Sequence, residues 1–173
     1  MDQVRIFALG GLDENGKNMY VVEVNEAIFI IEAGLKYPES DQLGVEFIIP
    51  DFSYLIQNKD RIKGIFITHA HDDVVAALPY LLKQINVPVY TGNLTANIIH
   101  DMLKKGGIKN VKIHRMKRAS KQTIGGVKVR TFPMTHAFPI ISDWLSQRIR
   151  AISFTPVSSL SITICCSRSI CVI

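Results

Sequence analysis

Cysteine is missing from the body of the chain. All three cysteines, Cys165, Cys166 and Cys171, fall in the last nine residues. That clustering excludes a disulfide framework, and Cys-Cys-x4-Cys is a poor spacing for a zinc knuckle. Glycine is missing from the other side of one point: none follows Gly126, although 11 occur up to there. No run of about 20 apolar residues is present, so no membrane-spanning segment is expected. The start, Met1-Asp2-Gln3-Val4-Arg5, is not a basic region leading into an apolar stretch, so a secretory leader is not expected and a cytoplasmic location is.

Acidic residues are missing from a long block. Met102 to Ser142 holds Lys104, Lys105, Lys109, Lys112, Arg115, Lys117, Arg118, Lys121, Lys128 and Arg130 and no Asp or Glu. Up to Asp101 the balance is reversed, 7 basic against 14 acidic residues, and the whole chain carries +5. A one-signed block of this size suits a polyanion, because each phosphate contact releases counterions. A solvated lysine-rich face is the plain alternative.

What is present suits a globular domain. The 173 residues are 47% apolar and the mean hydropathy is +0.19, enough for one domain with a core. Val4–Leu9, Met19–Val24 and Ala27–Ile31 read as strands, the last two joined by a turn at Asn25-Glu26. Asp13 to Gly16 is a turn and Pro38 to Gly44 a polar loop. Asp51 is placed to cap a short helix through Gln57, with Phe52, Leu55 and Ile56 on one side. Ile62–Thr68 is a buried strand, Val75–Lys83 a helix, and Val87–Tyr90 a strand. A second helix begins at Thr91 or Asn93, runs to about Lys105 and stops at Gly106-Gly107. Val111–Arg115 and Val127–Phe132 are further strands. This alternation indicates an α/β fold, an αββα sandwich with site residues at strand ends.

The chemistry sits in Thr68-His69-Ala70-His71-Asp72-Asp73-Val74, entered from Gly64-Ile65-Phe66-Ile67. On a strand, residues i and i+2 share a face, so His69 and His71 can reach one ion as the chain leaves the sheet. Imidazole and carboxylate suit zinc or manganese. His100 and His114 have no ligand spacing.

These residues resemble the His-x-His-x-Asp-His signature of the metallo-β-lactamase superfamily. Ala8-Leu9-Gly10-Gly11-Leu12, Gly16-Lys17-Asn18-Met19-Tyr20, Glu32-Ala33-Gly34-Leu35, Ile49-Pro50-Asp51 and Ala77-Leu78-Pro79-Tyr80-Leu81-Leu82 are similar to ribonuclease J. That family comprises RNA-processing enzymes with an inserted β-CASP domain. The resemblance runs from about Val4 to Pro139, and implies the N-terminal part of a metallo-β-lactamase-type sandwich over residues 1–139.

The resemblance also implies roles. His69, His71 and His136 would hold one Zn or Mn ion, and Asp73 would belong to a second. Glu32, where the family has aspartate, would orient a ligand histidine; Asp73 would also steer the nucleophile. Lys17 and Asn18 would contact phosphate; Lys117 and Arg118, members of the basic block, are expected as further RNA contacts. Two departures limit this. Val74 stands where the signature has its last histidine, and Glu32 is one methylene longer than aspartate. At most one ion per chain is therefore expected. The implied function is metal-dependent 5′-to-3′ exo- and endonucleolytic RNA hydrolysis, inactive in the chain as it stands. The alternatives are a non-catalytic partner subunit of an active ribonuclease J paralogue, or a small glyoxalase- or lactonase-type hydrolase.

Residues 140–173 carry no family motif and are expected to be an out-of-frame or disordered tail. With permitted codons, Pro156 to Ile173 back-translates so that a neighbouring frame reads Gly-Glu-Phe-Val-Val-Asp-Tyr-Asn-Met-Leu-Gln-Ser-Lys-Tyr-Met-Cys-Asp. Preceded by a threonine from Thr155, this resembles the family's Thr-Gly-Asp-Phe motif, whose aspartate bridges two metals.

Overall fold

The computed structural model describes residues 3–117, 119–133, 149–155 and 162–165, the last two segments as backbone. Ten strands, four α-helices and one 3-10 turn (Lys59–Arg61) occur among them. β1 (Val4–Gly10), β2 (Met19–Val24), β3 (Ala27–Ile31), β4 (Ile62–Ile67), β5 (Val89–Thr91) and β6 (Ile113–Arg115) form one sheet in that order. β1, β2 and β3 are antiparallel, and β3 to β6 run parallel. A second, antiparallel sheet has the order β10 (Ile162–Cys165), β9 (Ile149–Thr155), β8 (Val127–Pro133), β7 (Lys121–Ile124).

Strand alternation divides the core in two. Met19, Val21, Ile28, Ile30, Ile65 and Ile67 pack with Leu55, Leu78, Leu81, Ile99 and Leu103 of the helices. Their neighbours Val22, Val24, Phe29, Ile31 and Phe66 turn the other way, onto Ile124, Val127 and Val129 of the second sheet. A strand buried on both faces reads as a continuous apolar run, which is why β3 is Ala-Ile-Phe-Ile-Ile. Helix, sheet and sheet are thus three layers of the expected sandwich. No helix among the described residues is long and apolar enough to cross a membrane.

Three local expectations change. The helix expected over Val75–Lys83 is two short ones, α2 (Asp72–Val75) and α3 (Leu78–Leu82). Pro79 explains the break: it has no N–H to donate and its ring would meet the carbonyl of Val75. In α1 (Ser53–Gln57), Asp51 does not act as the N-cap; Phe52 occupies that position. Asp51, one residue before that cap, instead accepts from the Ser53 N–H at 2.8 Å and hydroxyl at 2.6 Å, and these donors hold its carboxyl below its ordinary value. Ile56 is exposed while Phe52 and Leu55 are buried. α4 (Asn93–Lys105) ends at Gly106, as the sequence indicates.

β7 was not expected, because Lys121-Gln122-Thr123 is polar; the Gly125-Gly126 turn, both residues at positive φ, folds it onto β8. Strands β9 and β10 lie within 140–173 and pair onward from β8. A row of rings crosses the first sheet from Phe29 through Phe66 and Tyr90 to His114, the last two stacked at 4.8 Å. His114 ends that row on the edge strand.

Candidate metal centre

The C-terminal ends of β3 and β4 deliver the site. β3 ends at Ile31, and Glu32 follows with φ +64°, a left-handed conformation uncommon outside glycine. That turn carries the Glu32 carboxylate toward the end of β4, where it is wholly buried. Its oxygens accept the Thr68 backbone N–H at 3.2 and 3.4 Å, and Oε1 accepts the Thr68 hydroxyl at 2.6 Å. Burying a carboxylate requires donors of this kind.

Thr68 transmits this arrangement to the histidines. Its one hydroxyl proton goes to Glu32, so toward His69 Nδ1, 2.8 Å away, its oxygen acts as acceptor. A neutral His69 then carries its proton on Nδ1, and Nε2 presents a lone pair. That Nε2 lies 3.0 Å from Nδ1 of His71. Two nitrogens on one tetrahedral zinc would be roughly 3.4 Å apart, so the two imidazoles already converge to near the spacing one ion demands. Their rings are edge to face, centroids 4.6 Å apart. In this structure the two nitrogens are hydrogen-bonded to each other, and the pair offers two imidazole donors at one point.

Asp73 occupies a different place. Asn18 Nδ2 donates to its carboxylate Oδ2 and to its backbone oxygen, each at 3.0 Å, and the Asn18 N–H donates to the same oxygen. No group of three His, Cys, Asp or Glu able to hold a metal occurs among the described residues. His136, the expected third ligand, and Arg118 lie outside them. Val74 is buried, and its carbonyl accepts from the Ala33 N–H at 2.7 Å.

The loop after β3 is tied to the start of α2 along its length. Leu35 N–H donates to Asp72 O, Ala77 N–H to Ala33 O, and Gly34 N–H to Asn18 O. Gly34 is indispensable to that approach, since a Cβ there would sit 1.7 Å from the Asp73 carbonyl oxygen. Tyr37 reaches the same helix, donating to Asp72 Oδ2 at 2.8 Å, and that acceptor, with the charge behind it, raises the phenol's pKa.

The expected phosphate contacts have other partners. Lys17 pairs with Glu14 at 3.2 Å; the Gly11 N–H and then this lysine hold the Glu14 carboxyl below its ordinary value. Asn18 is the brace between the β2 end and Asp73. Lys117 is exposed. Sequence reading placed Thr68 in the motif without a role and missed the bracing role of Asn18. The side-chain partners concerned are 36 and 55 residues away in sequence, and no local pattern signals such pairings.

Comparison with known proteins fits this geometry. Residues 12–140 match the family model of the metallo-beta-lactamase superfamily. Ribonuclease J 1 of Streptococcus pyogenes is 40% identical over 139 residues, covering 80% of this chain and 25% of that protein. Ribonuclease J 2 of Staphylococcus saprophyticus is 42% identical over 137 residues, covering 79% and 25%. The chain thus spans about a quarter of the length of these curated relatives. Among solved structures, human tRNase Z, short form, superposes with a TM-score of 0.57 at 15% identity, over all of this chain and 71% of that one. Zn(2+)-bound PqqB from Methylobacterium extorquens gives 0.61 at 13%, over 91% and 63%. These two likenesses are of fold. The resemblance to ribonuclease J is borne out by the curated relatives, and the chain belongs to the metallo-beta-lactamase superfamily.

Proposed function

We propose that this chain carries the first metal site of a ribonuclease J-type RNA hydrolase, that it binds at most one Zn or Mn ion, and that as it stands it does not turn over RNA appreciably. The observation that carries the reading is the convergence of His69 Nε2 and His71 Nδ1 at 3.0 Å, braced from behind by Thr68 and Glu32. His136 completes the ligand set in this proposal. A bound ion would supply Lewis acidity and a more acidic water for attack on a phosphodiester. The chain's own residues fix which nitrogen of His69 faces the ion and keep both rings in place.

Buried Val74 favours the second reading, a non-catalytic partner subunit of a ribonuclease J paralogue. An apolar side chain at the signature's last histidine contributes no ligand to a second ion, and Asp73 is already committed to Asn18. Either way the nucleic acid concerned would be RNA, and the chain would act in the cytoplasm.

Elemental analysis after dialysis against zinc or manganese tests the stoichiometry. One equivalent or less, lost in His69→Ala, is expected; two equivalents retained would overturn the single-site reading. An assay on 5′-monophosphorylated RNA tests inactivity. Turnover that His69→Ala abolishes would show a working centre.

A further inference from the structure

The β7–β8 hairpin shows an arrangement that folding alone does not favour. Lys121 lies directly opposite Arg130, and Thr123 opposite Lys128. By strand alternation these four share the face turned away from the core, where all four are exposed, while Ile124, Val127 and Val129 are buried beneath. Like charges directly opposite one another on a strand pair are destabilising. No acidic residue between Met102 and Ser142 relieves them, and none of the three cations has an acidic partner among the described residues. The turn of the hairpin is seated on β4, where a Cβ on Gly125 would lie 2.4 Å from the Lys63 side chain. The hairpin is therefore held to the sandwich, and its three cations lie on one exposed face across two strands.

We infer that this face, Lys121, Lys128 and Arg130 with the Thr123 hydroxyl, is a contact surface for the phosphate backbone of single-stranded RNA, separate from the metal centre. The inference rests on the ribonuclease reading above for its choice of polyanion. Cations carried on adjacent strands match successive phosphates by charge, and phosphate binding thereby offsets the repulsion the hairpin carries when unbound. Such contacts read no base and confer affinity without sequence preference.

The test uses the full chain and a fluorescein-labelled single-stranded RNA, with binding followed by anisotropy between about 50 and 200 mM salt. Lys128→Gln/Arg130→Gln is expected to lower affinity at the low-salt end about tenfold and to flatten the log–log salt slope by about 1.4, two contacts at roughly 0.7 each. Chelation by EDTA is expected to leave this binding intact. Arg130→Glu separates binding from folding: opposite Lys121 it makes a favourable cross-strand pair, so the urea midpoint should rise while RNA affinity falls. A purely structural hairpin would not move the two in opposite directions. Unchanged affinity and slope in the double variant overturn the inference, as does a wild-type chain that binds no RNA or binds polyglutamate equally well. RNA binding that EDTA abolishes and the hairpin variants spare would overturn it while leaving the metal-site reading standing. Loss of metal with hairpin binding intact would do the reverse.

Discussion

Thr68 joins the buried Glu32 carboxylate to the His69 imidazole, so if His69 holds an ion as proposed, the Thr68 hydroxyl should matter more than its size. Thr68→Val keeps the shape but removes both the donor to Glu32 and the acceptor for His69. Residues behind a metal ligand typically influence affinity by about 10–100-fold, and a loss in that range is expected from competitive zinc titration. Thr68→Ser should recover most of it. A Thr68→Val chain with wild-type affinity would show that His69 is oriented by something else. Gly34 makes a second single-residue demand. Its Cα passes so near the Asp73 carbonyl that Gly34→Ala must push the β3 loop away from α2. Overpacking of this kind costs about 1–3 kcal/mol; urea unfolding should read it, and the displaced Asn18–Asp73 brace should lower metal retention as well.

At the scale of elements, a polar tie fixes β1, β2 and α1 to one another. Glu23 is nearly fully buried on β2, opposite Arg5 of β1. Arg5 Nε donates to it at 2.7 Å, Arg61 approaches to 3.6 Å, and the Tyr54 hydroxyl donates to its other oxygen. Burial first, then the bond to Glu23 and that residue's charge, raise the Tyr54 pKa. Because the folded value lies above the unfolded one of about 10, the stability linked to it is whole below that pH. It is lost as pH rises through the folded value. Glu23→Gln should therefore bring the Tyr54 phenolate transition, followed by ultraviolet absorbance, down toward the ordinary tyrosine value; an unmoved transition would mean that burial alone sets it. Elements of this sheet were legible because apolar alternation is local: β2, β3 and α4 have their expected bounds. Pro79 was legible as a breaker in principle, yet the apolar run around it masked the break. β7 was not, since its polarity belongs to a solvent-facing hairpin. The His69–His71 pair was visible in two residues of spacing, whereas the Glu32–Thr68 and Asn18–Asp73 contacts required the sheet to bring distant segments together.

At the scale of the whole molecule, the family match ends at residue 140, next to Pro139, where the sequence resemblance gives out. The reading of 140–173 as out of frame makes a physical claim: those residues were never selected to pack on this sandwich. Against it stands the pairing of Ile149–Thr155 with β8 and of Ile162–Cys165 beyond it. A β-prone apolar strand can extend any open sheet edge through backbone hydrogen bonds alone, with no selected partner face, so pairing by itself does not establish that a strand belongs. Protection from protease does discriminate, because cleavage follows the free energy of local opening. We expect limited trypsin digestion to cut first at Arg148, Arg150 or Arg168, leaving a resistant fragment that includes Val4 to Phe132, and the intact chain to aggregate more readily than that fragment. Equal resistance of the tail and the fragment would make β9 and β10 integral strands and dispose of the out-of-frame reading. Sequencing the gene across the codons that follow Pro139 would then have to return a single uninterrupted frame with no ribonuclease J-like motif in its neighbour.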